Sequence, residues 1–104
     1  MVTDYSSVAF EFAYLNKPVI YTQGDREEFF EKQTYNPGYF SYERDGFGPV
    51  FYDYEATVAA IIKTIKNGCK QPEKYAKRIE KTFAFHDTNN CKRIYEEIIK
   101  LGNR

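Results

Sequence analysis

The chain opens with a polar segment between the end of a strand-like stretch and the start of a helix-like run. It reads Val2-Thr3-Asp4-Tyr5-Ser6-Ser7-Val8, and the apolar run AFEFAYL follows at 9–15. Hydroxyl and carboxylate side chains thus stand where the amide groups of a helix N-terminus are unpaired, and such a terminus favours an anion, phosphate above all. The same residue types are preferred N-caps of any helix. The pattern alone therefore leaves a phosphate-binding corner and a plain helix cap both open.

The residues next to this corner predict an α/β chain with parallel strands. A helix is expected from about Ser6 to Leu15, largely buried, with Val8, Phe12 and Leu15 on one face. Pro18 ends that helix, and the stretch 19–22 is apolar enough for a strand covered on both faces. Residues 1–2 look like the last part of a strand. Since such strands belong to larger βαβ arrays, we expect a fragment or a cut domain.

The middle of the chain predicts a short helix and then a long loop. Asp25 and Glu28 form a variant capping box that opens a helix through about Lys32. The stretch 33–48 is predicted to be a loop that carries aromatic residues. Loops of this length are usually functional or mobile, but a flap that only covers the sheet edge fits the sequence equally well. The role of the 33–48 loop stays open.

The last half predicts a strand followed by three helices. The strand is 50–52, and Asp53 caps a helix over 54–67 that Gly68 ends as its C′ residue. Pro72 is expected at the first position of the next helix, and a final helix is expected over about 89–101. Apolar residues recur at helical spacing on the first helix (Val58, Ile61, Ile62 and Ile65) and on the second (Tyr75, Ile79 and Phe83). On the third helix, Ile94, Ile98 and Leu101 are predicted to face inward.

Composition limits the class of protein. The 104 residues allow a single domain, and 15 basic residues balance 15 acidic ones, which does not favour a nucleic-acid-binding protein. Cys69 and Cys91 lack the spacing of a disulfide framework or a zinc site, so a reduced, cytoplasmic setting is the default. The sequence shows no signal peptide and no apolar run of membrane-spanning length. The 18% of aromatic residues predicts a core built from rings, with an exposed Tyr-rich partner surface as the alternative.

Several of these segments resemble a known enzyme family. The stretches 3–8 (TDYSSV) and 10–21 (FEFAYLNKPVIY) look like the C-terminal part of the CDP-glycerol glycerophosphotransferases, which build teichoic-acid-type polymers. The likeness continues at 25–29 (DREEF), 46–50 (GFGPV), 85–87 (FHD) and 93–98 (RIYEEI). It therefore covers nearly the whole chain, as one domain over 1–104, and TDYSS is its most specific part.

The resemblance implies a fold, a reaction and a site. The fold is α/β: a partial Rossmann-like lobe, the C-terminal half of a GT-B type nucleotide-binding domain, with a short parallel sheet and flanking helices. The reaction moves glycerol phosphate, or a related alditol phosphate, from a CDP-linked donor to a polymer hydroxyl. Thr3, Asp4, Ser6 and Ser7 would lie beside the donor phosphates, with Asp4 orienting the loop or meeting a hydroxyl. No cofactor and no metal site is expected.

The same resemblance limits what this chain is expected to do alone. The family's general base is a histidine in a motif upstream of these residues, so we expect no catalytic residue here and no activity from the isolated chain. His86, the one histidine, precedes Asp87 and is expected in a turn near a helix cap, with acid–base work by this His-Asp pair as the alternative. The acceptor polymer would bind through the other lobe, and the full-length enzyme would work in the cytoplasm at the inner face of the membrane as a peripheral protein. The alternative is a noncatalytic α/β module that docks a partner through the Tyr-rich loop 35–42.

Overall fold

A computed structural model describes residues 1–25 and 38–103 of the chain. The expected helix from Asp25 to Lys32 lies almost wholly outside the described residues. No helix in the described ranges is both long enough and apolar enough to cross a membrane. The elements within them, in chain order, are β1 (Val2–Thr3), α1 (Val8–Tyr14), β2 (Ile20–Thr22), α2 (Tyr42–Asp45), β3 (Val50–Phe51), α3 (Tyr54–Lys66), α4 (Glu73–Thr82) and α5 (Asn90–Gly102).

The three strands form one parallel sheet in the order β1-β2-β3. Val2 pairs with Ile20 across the first strand pair, and Tyr21 pairs with Val50 across the second. Parallel pairing requires a crossover connection between neighbouring strands, and α1 lies in the first of these connections. The α/β class and the short parallel sheet are confirmed, with strand ends within one residue of the prediction.

Small residues, and not the large apolar ones, form the buried face of α1. Ala9 and Ala13 are 2% and 0% exposed, whereas Val8 and Leu15 are 41% and 65% exposed. Phe12 is half-buried and packs against the core, as predicted, but the prediction that Val8 and Leu15 share the inner face of a largely buried helix was wrong. Alanines four positions apart allow the helix backbone to approach its neighbours closely, and this proximity determines which face is covered.

Aromatic rings fill the centre of the core. Phe47 is fully buried, and its ring centroid lies 5.0 Å from that of Phe10, 5.9 Å from that of Phe40 and 6.1 Å from that of Phe83. Tyr21 on β2 is 1% exposed, and burial raises the pKa of its hydroxyl. The prediction of a core built from rings is confirmed for the described residues.

A glycine makes room for the chain to enter this core. A Cβ added to Gly48 would lie 1.6 Å from the carbonyl oxygen of Val19, so the backbone just before β3 passes directly against the residue before β2. Only a residue without a side chain fits there. The neighbouring Phe47 lies in the core, with its amide donating a hydrogen bond to the Tyr21 hydroxyl at 3.4 Å.

The stretch 38–48 contains a helical turn where a loop was predicted. Ser41 caps α2, its hydroxyl oxygen accepting a hydrogen bond from the Arg44 amide at 3.4 Å. Phe40 and Tyr42 pack against the core, whereas Tyr39 is 93% exposed. Most of the described aromatic side chains in this stretch therefore contribute to the core.

The helix α3 follows the sequence prediction closely. Asp53 caps it, with its carboxylate accepting a hydrogen bond from the Ala56 amide at 2.8 Å. Gly68 follows its end with φ of 78°, and Cys69 also has a positive φ, 57°. Pro72 takes the N-cap of α4 and not its first helical position, a shift of one residue.

The apolar side chains of α5 face solvent. Ile94, Ile98 and Leu101 are 61%, 59% and 63% exposed, so the prediction that they point inward was wrong for this chain. The base of α5 is held to the preceding turn, because the Arg93 guanidinium pairs with the Asp87 carboxylate and lies 3.7 Å over the Phe85 ring. Helical periodicity identified the apolar stripe, but it carries no information about what covers that stripe.

Candidate functional site

The carboxyl ends of the three strands meet at one edge of the sheet. Thr3 ends β1, Thr22 ends β2 and Phe51 ends β3. The loops that follow are 4–7, 23–25 and 52–53. In open parallel sheets, ligands bind outside this edge. We call it the carboxyl edge.

All four residues predicted to lie beside the donor phosphates are found in one turn on this edge. Thr3 is half-buried at the end of β1, and Asp4, Ser6 and Ser7 are exposed in the turn before α1. The carboxylate of Asp4 accepts a hydrogen bond from the Tyr5 amide at 2.6 Å. This contact joins neighbouring residues within the turn.

The two serines differ in what they already bind. The Ser6 hydroxyl oxygen accepts a hydrogen bond from the Val8 amide at 3.2 Å, so Ser6 does part of the work of a helix cap. Ser7 occupies the N-cap position, and its side chain makes no capping hydrogen bond to the described residues. The plain capping interpretation therefore accounts for Ser6 better than for Ser7.

A buried glutamine fixes the turn, and the sequence analysis missed it. Gln23 is 0% exposed, and its side-chain amide donates a hydrogen bond to the Asp4 carbonyl oxygen at 3.2 Å. Since Gln23 comes directly after β2, it ties the loop after β1 to the neighbouring strand. The available signal was a polar residue immediately after a buried strand.

Tyr5 makes a second link across the same edge. Its hydroxyl donates a hydrogen bond to the Asp25 carboxylate at 3.0 Å, and its ring centroid lies 6.1 Å from that of Tyr42 on α2. The turn after β1 therefore contacts both the loop after β2 and the aromatic core.

The ends of β2 and β3 are also joined. The hydroxyl of Thr57, on α3, lies 3.3 Å from that of Thr22 and donates to the Asp53 carbonyl oxygen at 2.8 Å. A Cβ on Gly24 would lie 2.8 Å from the Tyr52 carbonyl oxygen, so these loops are in close contact. The carboxyl edge is a connected structure and not three independent loops.

The side chains of the carboxyl edge are hydroxyls, amides and carboxylates. The three loops 4–7, 23–25 and 52–53 contain neither Lys nor Arg, and Arg26 is the next residue in sequence, outside the described residues. Backbone amides and serine hydroxyls are thus the groups of this turn that can donate to an anion. Within residues 1–25 and 38–103, no cluster of His, Cys, Asp and Glu is arranged to hold a metal ion.

His86 lies away from this edge. Its ring stacks on that of Tyr14, the last residue of α1, with centroids 4.5 Å apart and planes 7° apart. The corner stands at the other end of α1, which is about 10 Å long for its seven residues. The Asp87 carboxylate accepts hydrogen bonds from Arg93 and from the Asn89 amide, which holds its pKa below the usual range. The geometry therefore fits a turn before α5, as the sequence predicted.

Comparison with known proteins identifies relatives of the whole chain. Residues 1–100 match the sequence profile of the CDP-Glycerol:Poly(glycerophosphate) glycerophosphotransferase family. The minor teichoic acid biosynthesis protein GgaB of Bacillus subtilis (strain 168) is 42% identical over 103 residues, covering 99% of this chain. The teichoic acid poly(glycerol phosphate) polymerase of Bacillus spizizenii is 31% identical over 99 residues, covering 95% of this chain.

These relatives are much longer proteins. The chain spans 11% of the length of GgaB and 24% of that of the Bacillus spizizenii glycerol phosphate polymerase. A teichoic acid poly(ribitol-phosphate) polymerase from the same organism is 43% identical over 42 residues, covering 40% of this chain and 7% of the relative. No solved structure matches the chain.

Proposed function

Because this chain belongs to the CDP-glycerol:poly(glycerophosphate) glycerophosphotransferase family, we propose that it supplies the donor-phosphate-binding corner of such an enzyme. The reaction is transfer of an alditol phosphate from a CDP-linked donor to a polymer hydroxyl. The names of the relatives include both glycerol phosphate and ribitol phosphate polymerases, so we define the donor as a CDP-linked alditol. We further propose that the α/β unit is part of a Rossmann-like lobe of GT-B type, in an enzyme that works at the inner face of the membrane.

One observation carries this proposal: the turn 3–7 stands at the carboxyl edge of a parallel sheet, directly before a helix. Ligands of open α/β sheets bind at this edge, and phosphates bind where helix amides are unpaired. The Ser6 and Ser7 hydroxyls and the first amides of α1 would donate to phosphate oxygens. Gln23 and Tyr5 would keep the turn in the required conformation through their bonds to Asp4 and Asp25.

The direct test measures donor binding and stability on the same variants. The isotope-labelled chain is titrated with CDP-glycerol, CDP and glycerol 3-phosphate while amide shifts are followed. Shifts concentrated at residues 3–7 are the expected result. Each hydrogen bond to a charged phosphate is worth roughly 1.5–3 kcal/mol, so the double variant Ser6→Ala/Ser7→Ala should bind CDP-glycerol about a hundredfold more weakly or worse.

Ser41→Ala provides the matched control. Ser41 also caps a helix through its hydroxyl, but α2 follows a different loop and lies outside the carboxyl edge. If Ser6 is only a cap, as Ser41 is, the loss of either hydroxyl should lower stability by about 1 kcal/mol and leave binding unchanged. Unchanged CDP-glycerol affinity in Ser6→Ala/Ser7→Ala, or amide shifts that avoid residues 3–7, would overturn the proposal.

A further inference from the structure

Positive charge is concentrated in one segment of this chain, although the chain as a whole is neutral. Residues 63–81 contain two acidic residues, Glu73 and Glu80, and seven basic ones, which gives the segment a net charge of +5. The basic residues are Lys63, Lys66, Lys70, Lys74, Lys77, Arg78 and Lys81. Since 15 basic residues balance 15 acidic ones overall, the rest of the chain carries a net charge of −5. Such a separation of charge attracts an anionic partner to one side of the molecule.

Most of these lysines have no acidic partner. Lys77 pairs with Glu73 at 3.4 Å. Five other lysines are exposed and form no ion pair with any described residue: Lys63, Lys66, Lys70, Lys74 and Lys81. Their charge is therefore available to an anion outside the chain.

The fold gathers three of the unpaired lysines around one pocket. Lys63, near the end of α3, and Lys70, in the turn before α4, line a pocket of about 260 Å³ together with Tyr75. The Nζ atom of Lys74 lies 5.6 Å from the centroid of the Tyr75 ring. The lysines of two helices and of the turn between them thus form one cationic surface.

This surface lies away from the carboxyl edge. Pro18 and Pro49, which come shortly before β2 and β3, line the same pocket, so the pocket is at the opposite end of these strands. The helix α3 begins at the carboxyl edge and is about 20 Å long for its 13 residues, with Lys63 and Lys66 in its last turn. The cationic surface and the proposed donor corner can therefore be tested separately.

Apolar side chains are exposed beside the lysines. Val58, Ile62 and Ile65 of α3 are 51%, 47% and 63% exposed. Their spacings of four and three place them in one stripe along the helix, and Lys66 borders it, four positions after Ile62. We use the name α3 surface for this stripe together with Lys63, Lys66, Lys70 and Lys74.

The combination of cations and exposed isoleucines separates two kinds of anionic partner. A soluble polyanion binds through charge and leaves isoleucines in water. An anionic membrane uses both kinds of side chain, because lysines contact the lipid phosphates while apolar side chains enter the boundary between headgroups and acyl chains. The α3 surface has the composition that the membrane requires.

We propose that the α3 surface binds an anionic phospholipid membrane. Ile62 and Ile65 lie at the boundary between headgroups and acyl chains, and the unpaired lysines contact lipid phosphates. This inference rests on the proposed function only for the location of the enzyme at the membrane, and binding to lipid needs no donor.

Vesicle co-sedimentation of the 104-residue chain tests the cationic part. Vesicles of phosphatidylcholine alone are compared with vesicles that also contain phosphatidylglycerol. The chain should bind only the second kind, and salt should weaken this binding because exposed charges are screened. Lys63→Gln/Lys70→Gln should weaken it about 25-fold, because each lysine near an anionic surface contributes a factor of about five.

Lys92→Gln/Lys100→Gln is the matched control for charge. It removes the same net charge from α5, where Lys92 pairs with Glu96 and Lys100 with Glu97, and it should leave vesicle binding nearly unchanged. A parent chain that does not bind vesicles containing phosphatidylglycerol would overturn the proposal. Equal losses for the two lysine pairs would overturn it as well, because binding would then follow net charge and not this surface.

Ile65→Ser tests the apolar part. It should weaken vesicle binding about tenfold, because an apolar side chain no longer leaves water on binding, and it should leave binding to soluble polyphosphate unchanged. Leu101→Ser is its control, since Leu101 is 63% exposed on α5, as Ile65 is on α3. Circular dichroism checks that all variants keep the helical content of the parent. Unchanged vesicle binding by Ile65→Ser would assign the surface to a soluble polyanion and overturn the proposal.

The donor-corner variant separates this inference from the proposed function. Ser6→Ala/Ser7→Ala should bind vesicles as tightly as the parent, because the corner is at the other end of the strands. Loss of CDP-glycerol binding with intact vesicle binding, or the reverse, then shows which of the two sites has failed. Vesicle binding that falls in Ser6→Ala/Ser7→Ala as much as in Lys63→Gln/Lys70→Gln would contradict the assignment to the α3 surface.

Discussion

Two isoleucines on neighbouring helices show how differently the two halves of this molecule are used. Ile79 on α4 is 2% exposed and belongs to the core around Tyr21 and Phe47, whereas Ile94 on α5 is 61% exposed. Both have apolar partners at helical spacing in the sequence. The difference therefore arises from what lies opposite each helix, and a pattern along one helix cannot reveal that.

The overall dimensions reflect the same contrast. The radius of gyration is 17.0 Å, against about 13 Å for a compact domain of this length, and the molecule measures 57 × 37 × 17 Å. The sheet with α1, α4 and the glycine-containing turn before β3 forms the packed region, and α5 forms the open one. Pairs of matched substitutions, one in the packed region and one on α5, test whether the packed region carries most of the stability of the fold.

The largest difference in stability is expected between two glycine-to-alanine substitutions, one in each region. Gly48→Ala places a Cβ against the Val19 carbonyl oxygen, which cannot move without disrupting β2, and we expect loss of the cooperative unfolding transition. That corresponds to the whole stability of a small domain, about 5 kcal/mol or more. Gly102→Ala on α5 meets no atom within 4 Å and should be neutral or slightly stabilising. Urea denaturation followed by circular dichroism measures both, and a folded Gly48→Ala chain would contradict the close approach.

A smaller difference is expected for the two isoleucines. Ile79→Ala leaves a cavity in the core and should lower the free energy of unfolding by about 2–5 kcal/mol. Ile94→Ala removes exposed surface and gains helix propensity, so its effect should stay within about 0.5 kcal/mol of zero in the monomer. Urea denaturation of both variants at low protein concentration gives the two free energies of unfolding. Equal losses would mean that α5 is covered in the chain as it stands.

The smallest effects concern two carboxylates, one in each region. Hydrogen bonds from Arg44 and from the Ser41 amide lower the pKa of Asp45 from 3.8 to about 2, and Arg93 lowers the pKa of Asp87. A lowered folded-state pKa stabilises the protein above the unfolded-state value, and this stabilisation disappears as the pH falls through the folded-state value. For Asp45, this stabilisation is therefore lost as the pH falls from about 4 to about 2.

Thermal unfolding between pH 2 and 7 tests this for Asp45→Asn and Asp87→Asn. Each variant should have a lower melting temperature than the parent at neutral pH. For Asp45→Asn, this difference in melting temperature should disappear as the pH approaches 2. Since both side chains are at the surface, salt should reduce the difference. A difference in melting temperature that stays constant over the whole pH range would show that these carboxylates do not form their ion pairs on folding.

Local features of the chain were predictable from the sequence. The Asp53 cap, the extent of α3 and the positive φ of Gly68 depend on residues within one or two turns, and the structure confirms them. The four predicted corner residues were found together because they form one continuous segment.

Features that depend on distant residues were not predictable in the same way. The buried face of α1 was assigned to the larger side chains, although the residues buried in the core are Ala9 and Ala13. Gln23 and Tyr5 were missed because their partners, Asp4 and Asp25, lie 19 and 20 positions away. The solvent-facing stripe of α5 was assigned to the interior for the same reason.

The buried position of Gln23 has a consequence for how the corner moves in time. Its side-chain amide protons are shut off from water while they hold the Asp4 carbonyl, so they should exchange with solvent far more slowly than those of an exposed glutamine. Their exchange rate then reports the fraction of time for which this contact is open. Hydrogen exchange of this one side-chain amide thus measures the local stability of the corner.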